Sequence, residues 1–260
     1  MTKQLDDLFT FLRFPSISTD SNHAGDVRAC ADWIVQKLNG MGLNTELHET
    51  PKHPIVVARN EHVDGKKTLL IYGHYDVQPV DPLELWDTPP FEPEIRDGRI
   101  WGRGSTDNKG QMLAHILGIE EALEKNGELP VNLILLFEGE EEVGSPNLVP
   151  FLEKHKDNLK CDVIAVSDTG MVAKGVPTMG YGLRGIACCE VTVRGPKGDL
   201  HSGVYGGAVA NPGSAVAKLV ASLHDDDGKI DLYANPQVDE TLVHVFGRYH
   251  IDMFFQVQLF

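Results

Sequence analysis

Three short apolar runs, each ending in side chains that can hold a cation, constrain this chain more than any other feature. The first, Thr68-Leu69-Leu70-Ile71-Tyr72, passes through Gly73 into His74-Tyr75-Asp76-Val77-Gln78-Pro79. The second, Val131 to Phe137, ends in Glu138, Glu140, Glu141 and Glu142 before Val143-Gly144-Ser145. The third, Asp162 to Ser167, ends at Asp168. Apolar runs of this length bounded by breakers read as buried strands. In a parallel α/β sheet the carboxyl ends of the strands are where sites are built. At a strand's period of two, His74 and Asp76 point one way and Tyr75 the other. An imidazole can bind a divalent cation through one nitrogen and give its other N–H to a carboxylate that fixes the ring. Taken singly, a hydrogen-bonded His–Asp pair and a solvated acidic loop are the ordinary readings. Taken together, His74, Asp107, Glu142 and Asp168 point to a metal centre.

The rest of the chain fits an α/β scaffold. Leu5, Leu8, Phe9 and Leu12 recur at helical spacing until Pro15, and Val27, Cys30, Trp33, Ile34 and Leu38 mark a second helix from about Asp26 to Leu38. Strands are expected near Thr45 to Glu49 and Ile55 to Ala58, and the four prolines between Asp81 and Arg99 predict a long surface loop closed by Ile100-Trp101. Gly102 to Gly110 is a glycine-rich turn feeding a helix that carries Met112, Leu113, Ile116, Leu117, Ile119 and Leu123. It matches neither GxGxxG nor GxxxxGK[ST], so nucleotide binding is disfavoured. Asp107 in that turn reads either as a helix N-cap or as a metal ligand on a rigid loop. After Leu183 the pattern changes to a strand from Ile186 to Val193, a loop around His201-Ser202-Gly203 and a helix opened by Asn211-Pro212. Two domains are therefore expected, residues 1–183 and 184–260.

Composition narrows the partners. A formal charge of −15 argues against nucleic acid or an anionic membrane, which would repel it. No run is long and apolar enough to span a bilayer, and the acidic start Met1 to Leu8 lacks a secretory core. Cys30, Cys161, Cys188 and Cys189 show no CxxC spacing, as expected of free thiols in a reducing cytoplasm.

The motifs GHYDVQP, WGRGSTDNKG, EGEEEVGS, SDTG and DLHSGVYGG follow one another from Gly73 to Gly207. In that order they resemble the di-zinc aminoacylase and carboxypeptidase family, and most closely its carnosine-type dipeptidase branch. The resemblance implies an α/β/α catalytic domain with a mostly parallel sheet, and a smaller α+β lid, expected to be incomplete here, through which the full-length family forms a homodimer. It implies two zinc ions, with manganese or cobalt as alternatives, and a dipeptide or N-acyl-amino-acid substrate. Carried over residue by residue, it makes His74 and Asp168 ligands of one metal, Asp107 the bridging carboxylate and Glu142 a ligand of the second. By the same resemblance Asp76 is expected to orient His74 and Glu141 to be the general base, with Glu140 as the competing assignment. The resemblance also implies that His201 of the HSG motif stabilises the oxyanion in the partner subunit and that the Asp107–Asn108 peptide is cis.

The same resemblance implies a longer chain. In the family the second metal's terminal His comes from a segment beyond the lid, and here the resemblance fades after Lys229-Ile230, as a truncation or frameshift would produce. His244 and His250 are the imidazoles that could replace that ligand. Dipeptidase is thus the leading expectation, with an N-acyl-amino-acid deacylase, or an inactive truncated fragment that only binds metal or a partner, as alternatives.

Overall fold

A computed structural model describes residues 2–182, 186–223, 227 and 252–259. The chain divides into two compact units, Met1–Val176 and Pro177–Phe260.

The first unit is built on a five-stranded sheet in the order β1-β2-β6-β3-β7. Its strands are β1 (Asn44–His48), β2 (Ile55–Arg59), β3 (Thr68–His74), β6 (Asn132–Glu138) and β7 (Val163–Val166). The sheet is mixed. β1 with β2 and β2 with β6 run antiparallel, whereas β3 runs parallel to both of its neighbours, β6 and β7. The parallel part brings together the three strand ends singled out in the sequence, and its register sets His74 beside Glu138.

Strand periodicity sorts the core into two layers. Val56, Ala58, Ile71, Leu133, Leu135 and Phe137 face α1 (Lys3–Leu12), α2 (Ala24–Gly40) and α3 (Lys109–Asn126) in one cluster. Ile55, Val57, Leu70, Ile134 and Leu136 face α4 (Leu148–His155), whose Phe151 joins them. Every residue of β6 is buried, so this strand is the spine of the unit. Burial of each such Leu, Ile or Phe contributes about 1.5–3 kcal/mol.

Two elements differ from the sequence reading. The proline-rich segment contains a small hairpin, β4 (Glu94–Arg96) with β5 (Arg99–Trp101). Asp97 and Gly98 both take positive φ, 52° and 70°, which is the two-residue turn that favours Asp-Gly. The prolines flanking it concealed a turn signal that was present. The second is β7, which is not buried: Val163, Ile164 and Val166 are 57%, 61% and 54% exposed. Among the described residues β7 pairs only with β3 and forms the edge of the sheet.

The second unit contains β8 (Ile186–Val193), a short α5 (Ser202–Tyr205), α6 (Pro212–Ala221) and β9 (Asp252–Leu259). Asn211 caps α6 by accepting from the N–H groups of Gly213 and Ser214, and Pro212 occupies the first turn. β8 and β9 pair in parallel. Leu183, where the sequence places a boundary, lies outside the described residues, as do His244 and His250.

Candidate metal centre

His74 ends β3 fully buried, and the two nitrogens of its ring have different surroundings. Nδ1 lies 3.1 Å from the Asp76 backbone carbonyl and 3.3 Å from Asp76 Oδ1. A ring that donates from Nδ1 presents a lone pair at Nε2. That Nε2 atom is buried without a hydrogen-bond partner, yet it lies 3.2 Å from Asp107 Oδ1, 3.4 Å from Asp168 Oδ2 and 3.9 Å from Glu141 Oε2. A buried imidazole nitrogen facing three carboxylates calls for a positive charge between them, supplied either by a proton on that nitrogen or by a cation bound there. The chemistry of the donor set therefore fits a divalent cation. The donor atoms of His74, Asp107 and Glu142 lie within 4.8 Å of one another.

Each carboxylate arrives on a different element. Asp107 stands in the loop before α3, joined to Asn108 by a cis peptide bond. Asp168 follows β7. Glu141 and Glu142 open a one-turn 3-10 helix, Glu141–Val143, just past β6. Asp76 holds that turn in place. Its Oδ1 accepts the N–H of Glu141 at 3.2 Å and its Oδ2 the N–H of Glu142 at 3.1 Å, so one buried carboxylate fixes both the imidazole and the two glutamates. Glu142 Oε2 also accepts from Gln78 Nε2 at 2.7 Å.

The four glutamates after β6 separate into two pairs. Glu138 and Glu140 are buried and hydrogen-bonded. Glu138 Oε1 accepts from Tyr72 Oη at 2.6 Å and Ser145 Oγ at 2.8 Å. Glu140 accepts from the His53 N–H at 2.9 Å and from Asn147 Nδ2 at 2.8 and 3.0 Å. Glu141 and Glu142 remain partly open to solvent beside His74.

Burial pulls the His74 imidazole down, but the hydrogen bond and charge of Asp76, then the charges of Asp168 and Glu141, outweigh it and push it up to about 9. Burial pushes the Glu141 and Glu142 carboxyls up. His74 opposes this in both, while neighbouring aspartates add to it. Mutual displacement of titrating groups of this kind is a mark of candidate functional sites.

Of the residues singled out in the sequence, the first unit gathers His74, Asp76, Asp107, Glu141, Glu142 and Asp168. His201 belongs to the second unit, where it caps α5: its Nδ1 accepts the Gly203 N–H at 3.0 Å. Asn108 and Gln78 were passed over in the sequence, although each lies inside a motif singled out there. Their amide side chains carry no charge to draw notice.

Residues 70–255 match the description of peptidase family M20/M25/M40. The chain belongs to this family. The M20 match continues past Ile230, where the motifs had stopped being readable. The Cys-Gly metallodipeptidase dug1 of Schizosaccharomyces pombe is 37% identical over 229 residues, 83% of this chain and 48% of that protein. Among solved M20 structures, the di-peptidase Dug1p of Saccharomyces cerevisiae aligns with a TM-score of 0.73 at 31% identity, over 93% of this chain and 55% of that one. Human carnosine dipeptidase 1 aligns with a TM-score of 0.74 at 28% identity, over 96% of this chain and 56% of that one. The chain thus spans about half the length of the M20 relatives it matches. No helix among the described residues is long and apolar enough to cross a membrane.

Proposed function

We propose that this chain carries the catalytic half-site of a metal-dependent dipeptidase, which hydrolyses the amide bond of dipeptides or short peptides. The observation that carries the reading is the buried, unpartnered His74 Nε2 surrounded by the carboxylates of Asp107, Asp168 and Glu141. His74 and Asp168 would hold one cation, Asp107 would bridge, and Glu142 would hold a second. Two divalent cations, zinc or in its place manganese or cobalt, would supply Lewis acidity and lower the pKa of a water to near 7. Glu141, partly open and raised by its burial, takes the proton from the attacking water and returns it to the leaving amine. Glu140 is poorly suited to that role, because its carboxylate already accepts from His53 and Asn147.

Asp76 keeps the His74 ring in the tautomer that presents Nε2. His201 is assigned to the developing oxyanion across a homodimer formed by the second unit. In its neutral form an imidazole that accepts at Nδ1 carries its proton on Nε2, so His201 is a hydrogen-bond donor. The substrate class is supported by the relatives named for Cys-Gly and carnosine hydrolysis.

The test is elemental analysis of the purified chain together with hydrolysis of Cys-Gly and of an N-acetylated amino acid in zinc- and manganese-supplemented buffer. Bound cation and preferential turnover of the dipeptide are expected. Glu141→Gln should lower turnover by at least about 10²-fold, the usual weight of a general base, while metal content stays the same. Absence of bound cation, or preference for the acylated amino acid, would overturn the assignment.

A further inference from the structure

Asn108 is buried, 2% exposed, and its side chain contacts the two elements that supply His74 and Asp168. Its Oδ1 lies 3.4 Å from the backbone N–H of His74. Its Nδ2 donates to the carbonyl of Ser167 at 3.1 Å and to Asp168 Oδ1 at 3.0 Å. The backbone of Asn108 follows directly on Asp107. One carboxamide therefore spans the end of β3, the end of β7 and the loop before α3. Two oxygens on one side and an N–H on the other define which end is nitrogen.

The surroundings are shaped to admit this side chain. A Cβ at Gly73 would lie 2.9 Å from Asn108 Oδ1 and 2.6 Å from Met112 Cγ, so β3 is bare where the amide approaches. Ser167 is held a second time, since its Oγ lies 2.7 Å from His115 Nε2 on α3. Asp168 has one oxygen bound by Asn108 and the other, Oδ2, turned toward His74 Nε2. The carboxylate's orientation toward the cluster is thus set by the amide, because β7 ends at Val166 and supplies no ladder bond beyond it.

We infer that Asn108 is a positioning residue of the metal centre: it aims Asp168 at His74 and keeps β3 and β7 at the separation the pair needs. The inference rests on the metal-centre reading above. No other side chain of this size serves, since Asp cannot donate to Asp168 and would repel it, and Leu neither donates nor accepts. Groups of this kind that orient a ligand typically change metal affinity by about 10- to 100-fold when lost.

The experiment compares wild type with Asn108→Leu and Asn108→Asp, using cobalt(II) titration by calorimetry and by visible absorption, with circular dichroism to establish folding. A folded variant with affinity lowered about 10-fold or more and a changed cobalt spectrum at saturation is expected. A purely structural role would lower the melting temperature and leave the spectrum of the saturated site unchanged, which would overturn the inference. Asn108→Asp keeps the volume and the acceptor toward His74, so it serves where Asn108→Leu does not fold. Should wild type take up no cobalt, the metal reading falls, and a crystal structure of metal-free Asn108→Ala, which removes the amide without adding a charge beside Asp168, still decides. Displacement of the Asp168 carboxylate by more than about 0.5 Å supports the positioning role, and an unmoved carboxylate refutes it.

Discussion

At the scale of single residues, the proposed site would set a proton and a cation in competition for one atom, His74 Nε2. In the metal-free chain the imidazole is pushed up to about 9, by Asp76 first among the groups that oppose its burial. Cation uptake must displace that proton, so below pH 9 binding releases it and apparent affinity rises with pH, levelling off above about 9. Calorimetry at pH 6, 7 and 8 in buffers of different ionisation enthalpy reads the released proton directly. Affinity independent of pH would contradict the assignment of His74 as a ligand. The sign for stability is the reverse. A raised imidazole stabilises the metal-free fold fully below its unfolded value near 6.5, and this contribution is lost as pH rises through about 9. Metal-free chain should therefore melt lower at pH 9 than at pH 6.5 in so far as His74 decides. The charged members of this cluster were legible in the sequence because strand ends and motifs flag them. Asn108 was not, since a neutral amide shows its worth only when three elements are seen to meet on it.

Among elements, the loop from Gly102 to Gly110 is fixed by backbone contact at its end as α3 begins. A Cβ at Gly110 would fall 2.0 Å from the Ser105 carbonyl, and backbone cannot step aside as a flexible side chain can. Gly110→Ala is expected to destabilise the chain by about 1–3 kcal/mol and to disturb the loop that carries Asp107. Urea denaturation read beside cobalt affinity checks it, and a variant with wild-type stability would show that the loop has slack. The same start of α3 buries Lys109, whose Nζ donates to the carbonyls of Phe11 and Phe14 at the end of α1. Helices α1, α2 and α3 and strand β6 were readable from periodicity because each has one dominant apolar pattern. Helix α4 was not, being eight residues long with Pro150 inside it. The hairpin at Asp97-Gly98 was hidden by its prolines. The acidic run after β6 could be read as a cluster but not divided, because burial of Glu138 and Glu140 depends on Tyr72 and His53, both distant in sequence, as well as on the nearby Asn147.

For the molecule as a whole, the open side of β7 sets apolar edge against a strong net charge. Val163, Ile164 and Val166 are more than half exposed on a strand with an unpaired side among the described residues, while the formal charge of −15 keeps copies apart. Salt screens that repulsion over about 8 Å at physiological strength, so self-association should rise with ionic strength. Ile164→Lys should suppress it, as light scattering across a salt series would show; equal scattering by both proteins would clear the edge of blame. The sequence offered only a change of pattern near Leu183, whereas the compact units divide between Val176 and Pro177, because a boundary lies in what packs together rather than in any residue. The parallel placement of β3 between β6 and β7 bears finally on how the chain reaches its fold. Asp76 and Glu141 stand 65 residues apart, and Asn108 and Asp168 stand 60 apart. No local hairpin or helix can bring them together, so the cluster forms only after slow, non-local strand pairing has closed the intervening loops. At the proposed site a cation could not nucleate the fold from a short segment as it does in a zinc finger; it would bind late and hold closed what the sheet has already assembled.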